Sequence, residues 1–138
     1  MRNRTTPENI TNLREGEIFV FGSNEAGIHG AGAAKMALQW GAEMGRGFGE
    51  YGRTFAIPTK DKNLETLELK EIARYIKHFI ESVERETNKM YLVTEIGCGL
   101  AGYTPEDIAL LFYGAINIDN IYLPESFWKI LGTDLLII

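Results

Sequence analysis

The chain has 138 residues, enough for one well-filled core and too few for two. Its 45% hydrophobic and 24% charged residues are an ordinary mixture for a water-soluble globular domain, and no apolar run approaches the roughly 20 residues that span a bilayer. Fourteen basic residues against nineteen acidic ones give a net charge of −5, which argues against a general nucleic-acid coat but leaves room for a local basic pocket.

The opening Met1-Arg2-Asn3-Arg4-Thr5-Thr6-Pro7 has basic residues with no apolar stretch behind them, so no secretory signal is expected, and a cytoplasmic location is. Glu17 to Phe21 is a short β-branched and aromatic run stopped by Gly22-Ser23-Asn24, and it reads as a buried strand. Ala31 to Trp40 is rich in helix formers (Ala33, Ala34, Lys35, Met36, Ala37) and should be helical. Thr54 to Ile57 is a second expected strand, ended by Pro58, which cannot donate to a central ladder. From Leu67 to about Arg85 the apolar residues Leu69, Ile72, Tyr75, Ile76, Phe79, Ile80 and Val83 repeat with helical spacing. Met90 to Thr94 is a third strand. Thr104-Pro105-Glu106-Asp107 then starts a helix that should run to about Ile116, with a capping hydroxyl, proline at the first position and acids in the first turn. Asn120 to Leu123 is a fourth strand, Glu125 to Leu131 a short helix, and Leu135 to Ile138 a last strand or docking tail. The order β-α-β-α-β-α-β predicts an α/β domain with a largely parallel sheet and helices on both faces.

Glycine is unevenly spread. Nine of the fifteen glycines fall between Gly22 and Gly52, and Gly97, Gly99 and Gly102 crowd into six residues. Both clusters follow an expected strand, where ligands collect in parallel sheets. In the first, Gly22 to Gly32, bare amides ahead of a helix would suit a phosphate, although the spacing fits neither a P-loop nor the dinucleotide fingerprint. A tight left-handed turn that packs helix on strand accounts for it equally well. The second, Gly97 to Gly102, could wrap another phosphate, with Tyr103 covering a sugar or base or serving as a half-buried aromatic.

Lys60, directly after a strand, could be a phosphate counter-ion, a nucleophile toward an electrophilic sugar carbon, or a solvated lysine beside Asp61. Glu95 could be a pocket carboxylate or a rim residue, and His29 sits inside the first glycine loop, where it could touch ligand. His78 falls on the polar side of the long helix. Cys98 has no histidine in a dyad pattern and reads as a structural thiol; one cysteine and two histidines cannot build a zinc site, and neither a metal nor a cofactor is expected.

Three blocks carry a resemblance. Phe21-Gly22-Ser23-Asn24 with Gly30-Ala31-Gly32-Ala33-Ala34, then Ile57-Pro58-Thr59-Lys60, then Ile96-Gly97-Cys98-Gly99-Leu100 together resemble a macrodomain, nearest to the terminal ADP-ribose protein glycohydrolase subclass. The pattern also resembles a group of small bacterial and phage proteins. The match runs from about Gly16 to Pro124, leaving 125–138 as an extension of one domain spanning 1–138. The resemblance implies a three-layer α/β/α, Rossmann-like fold that binds ADP-ribose or an ADP-ribosylated molecule. Gly22, Ser23, Asn24, His29 and Gly30, Ala31, Gly32, Ala33 would lie on one side of the ligand, and Gly97, Cys98, Gly99, Leu100, Ala101, Gly102 and Tyr103 on the other.

In that subclass a lysine attacks the distal ribose, and Lys60 aligns with it. The aspartate that helps resolve the lysyl intermediate is replaced by Ala101, whose methyl group cannot move a proton, and Asp61 or Glu95 are the nearby substitutes by sequence. The expectation is therefore binding of ADP-ribose or a related nucleotide diphosphate. The alternatives are an ADP-ribosyl hydrolase using Lys60, or a phage-related interaction protein whose tail, Phe127-Trp128 and Leu135 to Ile138, either meets a partner or covers the chain's own sheet edge.

Overall fold

A computed structural model describes residues 4–132. Within them a five-stranded sheet is built from β1 (Glu17–Asn24), β2 (Gly49–Tyr51), β3 (Thr54–Lys60), β4 (Met90–Val93) and β5 (Ile121–Tyr122) in the order β2-β3-β1-β4-β5. β1 pairs in parallel with β3 and β4, and β4 with β5; only β2 runs antiparallel, as a hairpin with β3. The protein is thus α/β with a mostly parallel sheet.

The central strand explains the burial. Ile18 and Val20 enter one apolar cluster while Phe19 and Phe21 enter another, so consecutive side chains of β1 supply both faces of the sheet. On the Ile18 face lie α2 (Leu69–Val83), α3 (Pro105–Ala109) and α4 (Glu125–Leu131). The long helix buries Ile72, Ile76, Phe79 and Val83, the stripe read from the sequence, and a capping box between Glu68 and Glu71 starts it. On the Phe19 face α1 (Gly32–Ala37) is short, and it lays Ala34 and Ala37 against Phe19, Phe21 and Ala56.

Several expected boundaries move. β3 continues through Pro58 to Lys60 instead of stopping there. The last residue of β3 that β2 covers is Ala56, so Pro58 falls where the strand has β1 alone beside it and no second ladder is interrupted. The helix expected over 31–40 is α1 followed by a 3-10 turn, Leu38–Trp40, closed by left-handed Gly41. The helix expected over 104–116 is α3 with its Thr104–Asp107 capping box, then a 3-10 helix, Leu110–Ala115. Ala109, Phe112 and Ala115 recur every three residues and are all fully buried, and three is the period that a 3-10 helix eclipses.

Residues 4–14 have no counterpart in the sequence reading. Thr5 bridges Leu123 in parallel beside β5, and the chain then crosses the part of the Phe19 face that α1 leaves bare, with Ile10 and Leu13 packed on the Phe19 cluster. Phe127 and Trp128 are buried within α4's own core contacts, and the expected tail Leu135 to Ile138 lies outside the described residues.

Candidate functional site

Because β1, β3 and β4 are parallel, the segments that follow them gather at one end of the sheet. The end of β1 lies close to the segment after β4: a Cβ on Gly22 would lie 3.5 Å from Ile96 Cβ and 3.6 Å from the Gly97 nitrogen. Gly97 has φ +77, and a Cβ there would sit 2.9 Å from Ile108 Cδ1, so only glycine lets the loop lie this flat on α3. The loop closes on itself, with the Tyr103 amide donating to Gly97 O at 2.9 Å and the Gly102 amide to Gly99 O at 3.0 Å. It is also tied to the segment after β3: Thr66 Oγ1 donates to Ala101 O at 2.9 Å, and the Tyr103 hydroxyl to Leu67 O at 2.7 Å. Gly99 and Leu100 are left at its exposed tip.

The first glycine segment divides in two. Its early residues are turned inward. Ser23 is buried, its hydroxyl donating to Asn24 O at 3.3 Å. The Asn24 carboxamide donates to Ile28 O at 2.8 Å and accepts from the Ile28 amide at 2.9 Å, which folds residues 24–28 into a closed turn. His29 is 2% exposed, stacks edge-on against Phe21, and holds Nε2 within 3.0 Å of Glu43 O and 3.3 Å of Arg46 O. Those two carbonyls call for the proton on Nε2, and Nδ1 is left without a partner among the described residues. The Glu25 carboxylate accepts from Tyr75 OH at 2.6 Å, and burial, reinforced by that carboxylate, pushes the Tyr75 phenol up to about 12. Gly30, Ala31, Gly32 and Ala33, by contrast, are exposed, and a Cβ on Gly30 or Gly32 would meet nothing within 4 Å.

Lys60 ends β3 opposite Asn24, half-buried, and its ammonium has no hydrogen bond or ion pair among the described residues. Asp61 does not pair with it: Asp61 Oδ1 instead accepts from the Asn63 and Glu65 amides at 2.8 and 3.0 Å. Cys98 is half-buried, and burial first, then Glu95, Asp107 and Glu106, pushes its thiol up to about 11, so at neutral pH it is not a thiolate. His78 is exposed on α2, and no group of three metal-ligating side chains occurs among the described residues.

The exposed Gly30–Ala33 turn, Lys60 and the Gly99–Gly102 tip therefore share one end of the sheet, whereas Ser23, Asn24 and His29 shape the scaffold beneath it. Beside this end opens a cavity of about 890 Å³, reached from Ala33 on one side and from Thr94 and Glu95 on the other. Its remaining walls are the segment 5–11 and the start of α4, where Ser126 donates to Glu95 Oε2 at 2.5 Å. Glu8, Glu95 and Glu125 against Lys129 make the lining acidic, over a floor that includes Ile10, Phe19 and Met36. The sequence offered only Ala33 and Glu95 as hints of this cavity, since segment 5–11 has neither motif nor periodicity. No known family model matches the chain, and neither the curated proteins nor the solved structures give a match.

Proposed function

We propose that this protein binds ADP-ribose or a related nucleotide diphosphate in a macrodomain-like, three-layer arrangement. The observation that carries the reading is the placement of two exposed glycine-rich turns and a half-buried, unpaired lysine after the carboxyl ends of parallel strands, with a cavity of nucleotide size that Ala33 of the first turn lines. The diphosphate belongs at the glycine turns and Lys60, where backbone can approach closely and a cation stands free. The three glutamates would repel it from the cavity, so that space suits the uncharged nucleoside end, whose hydroxyl and amino groups can donate to carboxylates. Isothermal titration tests this: ADP-ribose should bind more tightly than AMP, and no heat with ADP-ribose at high micromolar protein would overturn it.

A hydrolytic reading has one observation in its favour, the unpaired ammonium of Lys60. As a neutral amine it would attack the distal anomeric carbon and expel the linked group. With Ala101 in the loop, water attack on the resulting lysyl intermediate would need a base from elsewhere. Release from ADP-ribosylated protein or O-acetyl-ADP-ribose no faster for the wild type than for Lys60→Ala would leave binding alone.

A further inference from the structure

The 890 Å³ cavity has a neighbour of about 480 Å³, and Thr5, Pro7, Asn9, Ile10 and Thr11 line both. This shared wall is pinned at its two ends. At the first, the Arg4 guanidinium donates to Ala115 O and Ile116 O at 2.9 Å each and to Ile121 O at 3.0 Å, and it lies 5.2 Å from the Trp128 ring centroid. The Thr6 amide adds a bond to Leu123 O at 2.9 Å. At the second, the Arg14 amide donates to Glu17 Oε1 at 2.8 Å, and Arg14 O accepts from Arg53. Between these anchors, residues 7–13 make no hydrogen bond among the described residues. Packing of Ile10 and Leu13 on the Phe19 cluster is what holds them down. Pro7 has no amide to pair, and the Thr6 hydroxyl is buried without a partner.

A span with unpaired backbone and two apolar contacts stands at the weak end of a protein's stability range, far below strands bonded on both sides. Beneath it lies Leu92, 2% exposed, on the face of β4 opposite Tyr91 and Val93. We propose that residues 7–13 form a hinged strap, which swings off the sheet between its anchors at Arg4–Thr6 and Arg14 and merges the two cavities into one open trough over β1, β4 and β5. The opening is local, leaves α2 and the opposite core in place, and operates whichever ligand the larger cavity takes.

Thiol labelling of the full chain tests it. In a Cys98→Ser background, Leu92→Cys puts a thiol under the strap, and Ile76→Cys puts one in the fully buried core of α2 on the other face. With a disulfide reagent in native buffer, the thiol at position 92 should react at least 10-fold faster than that at 76. Its rate should hardly change with urea below the unfolding transition, because swinging a strap exposes little surface. Ile10→Ala should speed labelling at 92 and not the excess over global opening at 76. A ratio under 10-fold, or a urea slope at 92 equal to that at 76, would overturn the strap. Should Leu92→Cys not fold, Leu92→Met and Ile76→Met, closer in volume, carry the same comparison through peroxide oxidation rates. No ligand enters the assay, so its failure leaves the nucleotide reading to be decided by titration.

Discussion

A charge placed at Gly30 separates phosphate binding from folding. Gly30 and Gly32 both point open space where a Cβ would be, but only Gly32 has a left-handed φ, of +59. A side chain at 32 therefore strains the backbone by about 1–2 kcal/mol, whereas one at 30 should change stability by less than about 0.5 kcal/mol. With an unfolding entropy of about 2.1 cal/mol/K per residue, a domain of this length loses roughly 3–7 °C of melting temperature for Gly32→Glu and about 2 °C or less for Gly30→Glu. In binding, a carboxylate about 6 Å from a phosphate charge is repelled by roughly 3 kcal/mol at an effective dielectric near 20. Screening over a Debye length of about 8 Å at physiological salt reduces this to between about 1 and 2 kcal/mol, or roughly 5- to 30-fold in affinity. Gly30→Gln, equal in size and uncharged, should bind as the wild type does. Melting temperature and ADP-ribose titration on the same preparations, at low and high salt, measure both effects. A folded Gly30→Glu protein with wild-type affinity at low salt would refute the placement of phosphate at this turn.

Arg4→Ala removes three hydrogen bonds from a cation to buried carbonyls, and it should cost about 2–4 kcal/mol, or roughly 7–14 °C in melting temperature; a fall below 2 °C would show that the anchor is idle. The Cys98 thiol, raised from 9.0 to about 11, should react slowly with disulfide reagents at pH 8 in the folded protein, and thiolate-like rates at that pH would contradict its burial. Since its folded pKa lies above the unfolded one, its contribution to stability is complete below pH 9 and is lost as pH rises through about 11. Cys98→Ser should flatten that part of the pH–stability curve relative to wild type.

Local pattern reached as far as the elements whose neighbours are close in the chain. The stripe Ile72, Ile76, Phe79, Val83 needs only helical spacing, and the runs at 17–21 and 54–57 need only β-branched and aromatic density. β2 escaped because Gly49-Glu50-Tyr51 is short, begins with glycine, and becomes a strand only by pairing with β3. Pro58 misled because its effect depends on how many strands flank it, a tertiary fact. At the candidate site, glycine density marked the segments that follow β1 and β4, but it could not tell residues 30–33, which face outward, from Ser23, Asn24 and His29, which face in. That division follows from the hydrogen bonds of Asn24 to Ile28 and of His29 to Glu43, none of which leaves a periodic trace.

The pairing of residues 4–6 with the far end of the chain bears on how the protein is made. Arg4 reaches carbonyls 111 to 117 positions away, and the Trp128 indole donates to Arg4 O across 124. On a ribosome residues 4–6 must wait for α4, made more than 100 residues later, before they can dock, and closing so long a loop comes late because its entropy must be offset by contacts that form only then. Until then the β4 surface around Leu92 and the outer edge of β5 stay open on a nascent domain whose α2 core can already form. That interval, rather than the finished fold, is when this chain is most exposed to mispairing with its neighbours.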